Sequence, residues 1–128
     1  MSERDAATEQ VVYCLTRDRD LAASLDERLV GAIAFFYNDA ARLHQAVTLR
    51  APDVVLVDTD AIREEYGDAG LGPIVAFLRE HCATARVAVR PHPGVELLVA
   101  AEAGQGIELV PAECAACVGA VAALCGCP

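Results

Sequence analysis

Five short apolar runs recur along the chain, and a helical pattern follows each of them. The runs are Val11–Leu15 (VVYCL), Ala32–Tyr37 (AIAFFY), Asp53–Val57 (DVVLV), Arg86–Val89 (RVAV) and Ile107–Val110 (IELV). They are rich in Val, Ile, Leu and aromatic residues, and most lack the in–out alternation of a strand with one wet face. Strands that are apolar on both faces belong to a parallel sheet covered by helices on each side.

The intervening segments supply those helices. Asp20 stands where a helix cap is expected, with Leu21, Leu25, Leu29 and Val30 forming an inward stripe and Gly31 closing the helix. Ala40–Leu49 repeats the pattern with Leu43, Ala46, Val47 and Leu49 inward, before Pro52 breaks it. After a polar loop from Thr59 to Gly72, Pro73 opens a third helix with Ile74, Phe77 and Leu78 on its apolar face. Val95–Ala103 predicts a short fourth helix, Gly104 and Gly106 punctuate, and a last helix runs from about Ala112 to Leu124. Right-handed crossovers then give a single α/β doubly wound, five-stranded sheet in the flavodoxin-like order 2-1-3-4-5, with helices on both faces. Residues 1–10 read as a polar lead, 11–125 as one domain and 126–128 as a tail.

Bulk properties narrow the function. A chain of 128 residues makes one domain able to bury a core without disulfides. The formal net charge of −9 opposes contact with nucleic acid, whose phosphates it would repel. No apolar run approaches membrane-spanning length, and the N-terminus carries no apolar signal region, so a cytoplasmic location is expected. All ten basic residues are Arg, which excludes a phosphate-loop lysine and any Schiff-base chemistry.

In such sheets ligand chemistry gathers at the C-terminal strand ends. Here those ends carry Thr16, Arg17 and Asp18; Asn38 and Asp39; Asp58 and Asp60; Arg90 and His92; and Pro111 with Glu113. The element order, the length and PDVVLVD (52–58) resemble the receiver domain of two-component response regulators, over nearly the whole chain from about Val11 to Leu124. The resemblance places Asp58 at the family's phosphoacceptor position. It also implies an acid pair after the first strand to hold Mg²⁺, a Ser or Thr ending the fourth strand, and a Lys-Pro pair ending the fifth.

This chain departs from that pattern. The acid-pair positions fall on Thr16-Arg17 or Arg17-Asp18, Arg90 stands at the Ser/Thr place, and Val110 precedes Pro111 where Lys is expected. Phosphoryl transfer to a carboxylate needs a divalent cation, held through carboxylates, to neutralise crowded negative charge. An Arg–carboxylate fork at the same place would substitute for the ion structurally. Asp58 is therefore expected to pair with Arg17 or Arg90. The alternatives are a carboxylate that caps the next turn and a degraded receiver still phosphorylated at Asp58.

Six cysteines invite a different reading. Cys114, Cys117, Cys125 and Cys127 form C-x2-C and C-x-C, the spacing of a metal or redox site. Yet Cys114, Cys117, Val118, Val121, Leu124 and Cys125 also share one helical stripe, and free Cys packs as a small hydrophobe. Core packing is the expectation for these, and for Cys14 and Cys82. His92, between two prolines, is read as a loop residue, and His44 and His81 as boundary residues without a metal-ligand spacing.

Together these readings give a stand-alone, non-enzymatic pseudo-receiver that acts by binding a protein partner, with a homodimer as one form of it. Val95, Leu98 and Ala101 are its expected contact residues, and no cofactor or metal is expected. The rival from another class is a small metal or redox protein built on the C-terminal cysteines.

Overall fold

The computed structural model describes residues 10–63, 71–92 and 107–126. Its five strands are β1 (Gln10–Leu15), β2 (Ala32–Tyr37), β3 (Val54–Asp58), β4 (Arg86–Arg90) and β5 (Ile107–Leu109), all parallel in one sheet of order β2-β1-β3-β4-β5. Four α-helices lie among the described residues: α1 (Arg19–Arg28), α2 (Ala40–Leu49), α3 (Leu71–His81) and α4 (Cys114–Leu124). One 3₁₀ turn, Thr59–Ala61, follows β3. The expected fourth helix, with Val95, Leu98 and Ala101, lies outside the described residues, as do Gly104, Gly106 and Cys127.

The central strands are buried on both faces, as their unbroken apolar runs require. Tyr13, Leu15, Val55, Val57, Val87 and Val89 point to a core closed by Leu43 and Val47 of α2 and Ile74 and Leu78 of α3. Val12, Cys14, Val54, Leu56 and Ala88 point to the opposite core, closed by Leu21 and Leu25 of α1 and Cys117, Val118 and Val121 of α4. Each fully buried Val or Leu side chain contributes roughly 1.5–3 kcal/mol through removal from water.

Several local expectations shift. Asp18, rather than Asp20, caps α1: its Oδ1 accepts from the Leu21 N–H at 3.1 Å. Because α1 ends at Arg28, Val30 falls in the turn beyond it and is 71% exposed instead of inward. Leu49, expected inward, occupies the last position of α2 and is 88% exposed. Pro73 sits in the first turn of α3, which begins at Leu71, where a missing N–H is tolerated. The last helix starts at Cys114, with the Glu113 side chain accepting from the Ala115 and Ala116 N–H groups.

Candidate functional site at the carboxyl edge of the sheet

Register brings the strand-end residues together. In the β3–β4 ladder Asp58 lies directly beside Arg90, and in the β1–β3 ladder Leu15 lies beside Val57, so Thr16 follows β1 next to Asp58. Asp58 is buried. Its Oδ2 accepts from the Thr16 hydroxyl at 2.8 Å and from Arg90 Nη1 at 3.2 Å, while its Oδ1 accepts from the Asp60 N–H at 3.3 Å. The carboxylate thus pairs with an arginine and also caps the turn that follows β3.

Arg90 holds the centre. Nη1 donates to Asp18 Oδ2 at 3.0 Å as well as to Asp58, and Nε and Nη2 both donate to the Ala112 carbonyl, at 2.9 and 2.7 Å. One guanidinium on β4 therefore ties together the N-cap of α1, the end of β3 and the entry to α4. Burial alone would lower its pKa, but the bond to Asp18 and the charge of Asp58 outweigh burial and raise it. Asp18 is held below the usual carboxylate range, first by the Leu21 N–H and then by Arg90. Thr16 is buried and completes the network, its Oγ1 accepting from the Asp18 N–H at 3.0 Å.

Of the two candidate arginines, Arg90 makes the bond to Asp58. Arg17 is exposed, and its Nε donates to the Asn38 carbonyl at 3.1 Å. Val110 is buried in the core and its N–H donates to the Val89 carbonyl at 2.9 Å, so that position serves packing, with exposed Pro111 after it. Beside the network, Asp58, Asp60, Arg63, Arg90, Pro91, His92 and Ala112 line a cleft of about 370 Å³. A larger hollow of about 580 Å³ lies elsewhere, along β2 and α2.

His92 is more than the loop residue its sequence context implies. It is buried, its N–H donates to Thr59 Oγ1 at 2.8 Å, and Thr59 Oγ1 lies 2.7 Å from its Nδ1. These two contacts to one hydroxyl lock the loop after β4 onto the turn after β3. The sequence signal was present, since Thr59 and His92 each follow an adjacent strand end. His44 and His81 stack on either face of Phe77, with ring centroids 4.0 and 4.2 Å away.

Cys14, Cys82, Cys114, Cys117 and Cys125 are thiols. All but the half-buried Cys114 are buried, as the stripe on α4 implies. Burial pushes Cys117 up to about 11, against a smaller opposing pull from Arg90, so it is a poor thiolate source at neutral pH. Among the described residues no group of three or more His, Cys, Asp or Glu is arranged to hold a metal ion. None of their helices is long and apolar enough to cross a membrane.

These features define the class: a Rossmann-like α/β domain with one parallel five-stranded sheet in flavodoxin-like order. Among solved structures, the chain is similar to a de novo designed Rossmann 2x3 fold protein determined by solution NMR, with 16% identity, a TM-score of 0.65, and coverage of 88% of this chain and 85% of that one. At that identity the likeness concerns the fold alone. No family model and no curated protein matches the sequence.

Proposed function

We propose that this domain is a pseudo-receiver, a non-enzymatic signalling module that acts through a protein partner without phosphorylation. The observation that carries the reading is the Arg90 guanidinium, bonded at once to Asp18 and Asp58. A receiver needs that space for Mg²⁺ and a phosphoryl group, and the residues here do not fit the ion. A fixed cation bridges the two carboxylates, Arg17 stands at an acid position, and Val110 replaces the lysine that would meet the phosphoryl oxygens. Parallel five-stranded topology and an Asp at the end of β3 support descent of the site from a receiver-like plan. Side chains that once switched on phosphorylation are, in this reading, a permanently closed polar clasp.

Amide NMR spectra recorded with Mg²⁺ alone, and then with Mg²⁺ and beryllofluoride, test it. Beryllofluoride mimics an aspartyl phosphoryl group. Unchanged resonances around Asp58 at millimolar Mg²⁺ are expected. Saturable shifts there that vanish in Asp58→Asn would overturn the proposal and identify a working receiver phosphorylated at Asp58.

A further inference from the structure

The strand β2 forms one edge of the sheet, and its six residues, Ala32-Ile33-Ala34-Phe35-Phe36-Tyr37, carry no charge. Every one is apolar or aromatic, yet none is fully buried, and Phe35 is 43% exposed. Val30, Phe35 and Leu49 are three of the four large exposed hydrophobics among the described residues, and all three lie in β2 or next to it in sequence and hollow. Edge strands are normally blunted with charge, proline or a bulge, because their open backbone groups pair with other chains. None of those devices occurs within β2.

The direction of the open groups follows from the ladder. The Tyr37 carbonyl accepts from the Thr16 N–H at 2.9 Å, so Tyr37 turns its backbone groups toward β1, as do Phe35 and Ile33 by the two-residue period. Ala34 and Phe36 therefore direct both N–H and C=O outward, where no described residue pairs with them. The Ala32 N–H, also on the outer side, already donates to the Leu29 carbonyl at 3.2 Å.

We propose that β2 is a pairing edge through which two copies of this chain join antiparallel, about a twofold axis normal to the sheet. The proposal does not depend on the reading of the Asp58 site. In such a pair the facing residues lie on the same side, which restricts the axis to a residue position. An axis at Phe35 sets Ala34 opposite Phe36 of the second copy. It exchanges four N–H···O bonds that consume every outward group of both residues, and stacks Phe35 on its symmetry mate. An axis at Ala34 leaves the Phe36 carbonyl facing the committed Ala32 N–H, so the Phe35 register is favoured. That register also carries Val30 of the second copy toward the Asn38 end of the hollow lined by Tyr37, Arg42 and Leu49. In a chain of net charge −9, a charge-free strand is where two copies approach without like-charge contact. The twofold closes the assembly at two, since each copy has one β2 edge.

Sedimentation velocity and amide hydrogen exchange, each across micromolar to near-millimolar protein, test the proposal. The expected species has twice the chain mass of 13.5 kDa. Ala34 and Phe36 amides should gain protection as the dimer forms, while Ile33, Phe35 and Tyr37 stay protected throughout. Ala34→Pro removes an outward donor without touching the β1–β2 ladder, and should weaken dimerisation roughly ten- to hundredfold. Phe35→Lys is the companion variant should proline disturb the strand, and circular dichroism checks that each stays folded. A monomer at all concentrations, or a dimer in which the Ala34 and Phe36 amides exchange freely or that both variants retain, would overturn the proposal.

Discussion

Replacing Arg90 with alanine tests whether the clasp at the strand ends is a structural unit. Asp58 and Arg90 side chains are 6% and 14% exposed, so the variant leaves a buried carboxylate without its cation. Removing one partner of a buried pair costs about 3–5 kcal/mol. Two facts reduce that figure here. The Thr16 hydroxyl and the Asp60 N–H still solvate Asp58, and the second carboxylate, Asp18, is 35% exposed, so its pairing with Arg90 contributes little. Loss of the two bonds to the Ala112 carbonyl adds about 1 kcal/mol. The expected net loss is about 3 kcal/mol, or a fall in Tm of roughly 10 °C for a domain of this size. Urea unfolding of wild type, Arg90→Ala, Asp58→Asn and the double variant closes a thermodynamic cycle. The double variant should be more stable than Arg90→Ala alone, because it removes the orphaned charge together with its partner. A loss below about 0.5 kcal/mol in Arg90→Ala, or strict additivity of the two substitutions, would refute the argument that Arg90 neutralises Asp58.

Two further outcomes follow from the same region. Asp18 has a lowered pKa in the folded state, so the stability its charge contributes is present above the unfolded value of about 3.9 and is lost as pH falls through the folded value. Asp18→Asn keeps a capping oxygen and removes only the charge. In urea titrations its deficit against wild type should be a few tenths to about 1 kcal/mol at neutral pH, after discounting for exposure, and should vanish in acid. A deficit that grows on acidification would be inconsistent with this sign. For the cysteines, alkylation of native protein at neutral pH should modify Cys114 before Cys14 or Cys117, whose thiols burial holds protonated, and denaturant should abolish the difference. Peptide mapping by mass spectrometry reads the order, and rapid native labelling of Cys117 would restore the case for a reactive C-x2-C pair.

The sheet order was legible because each of its central strands is apolar on both faces and a helix-length segment separates each strand from the next. Asp58 was legible as the acid that ends such a run. Which arginine meets it was not, because Arg17 and Arg90 both stand at strand ends, and only the pairing of Asp58 with Arg90 across β3 and β4 decides between them. Asp18 and Asp20 both precede Leu21, and composition cannot separate them as caps. The choice rests on which carboxylate reaches the Leu21 N–H from outside the first turn. Val30 and Leu49 fit an inward periodicity but fall at or past the ends of their helices, where the stripe no longer faces the sheet. The Thr59–His92 lock was not legible, because each residue alone is ordinary in a loop and only the adjacency of β3 and β4 brings them together.

Charge balance links the departures at this site. Two carboxylates, Asp18 and Asp58, converge on one Nη1 of Arg90, so the cluster retains one excess negative charge before any ligand arrives. A divalent ion entering here would have to displace a guanidinium anchored by two further bonds to Ala112, and would find Arg17 where a receiver offers an acid. Once Arg90 pairs with Asp58 from the fourth strand, that carboxylate needs no lysine at position 110, and the position is free to serve the core, as buried Val110 does. In the proposed reading, Arg90 is therefore the substitution that makes the others tolerable. The order can be tested: Val110→Lys in the Arg90 background should destabilise the fold by burying an unpaired ammonium, and should do so less when Arg90→Thr accompanies it. Equal losses in the two backgrounds, measured by urea unfolding, would separate the two positions and dissolve the link.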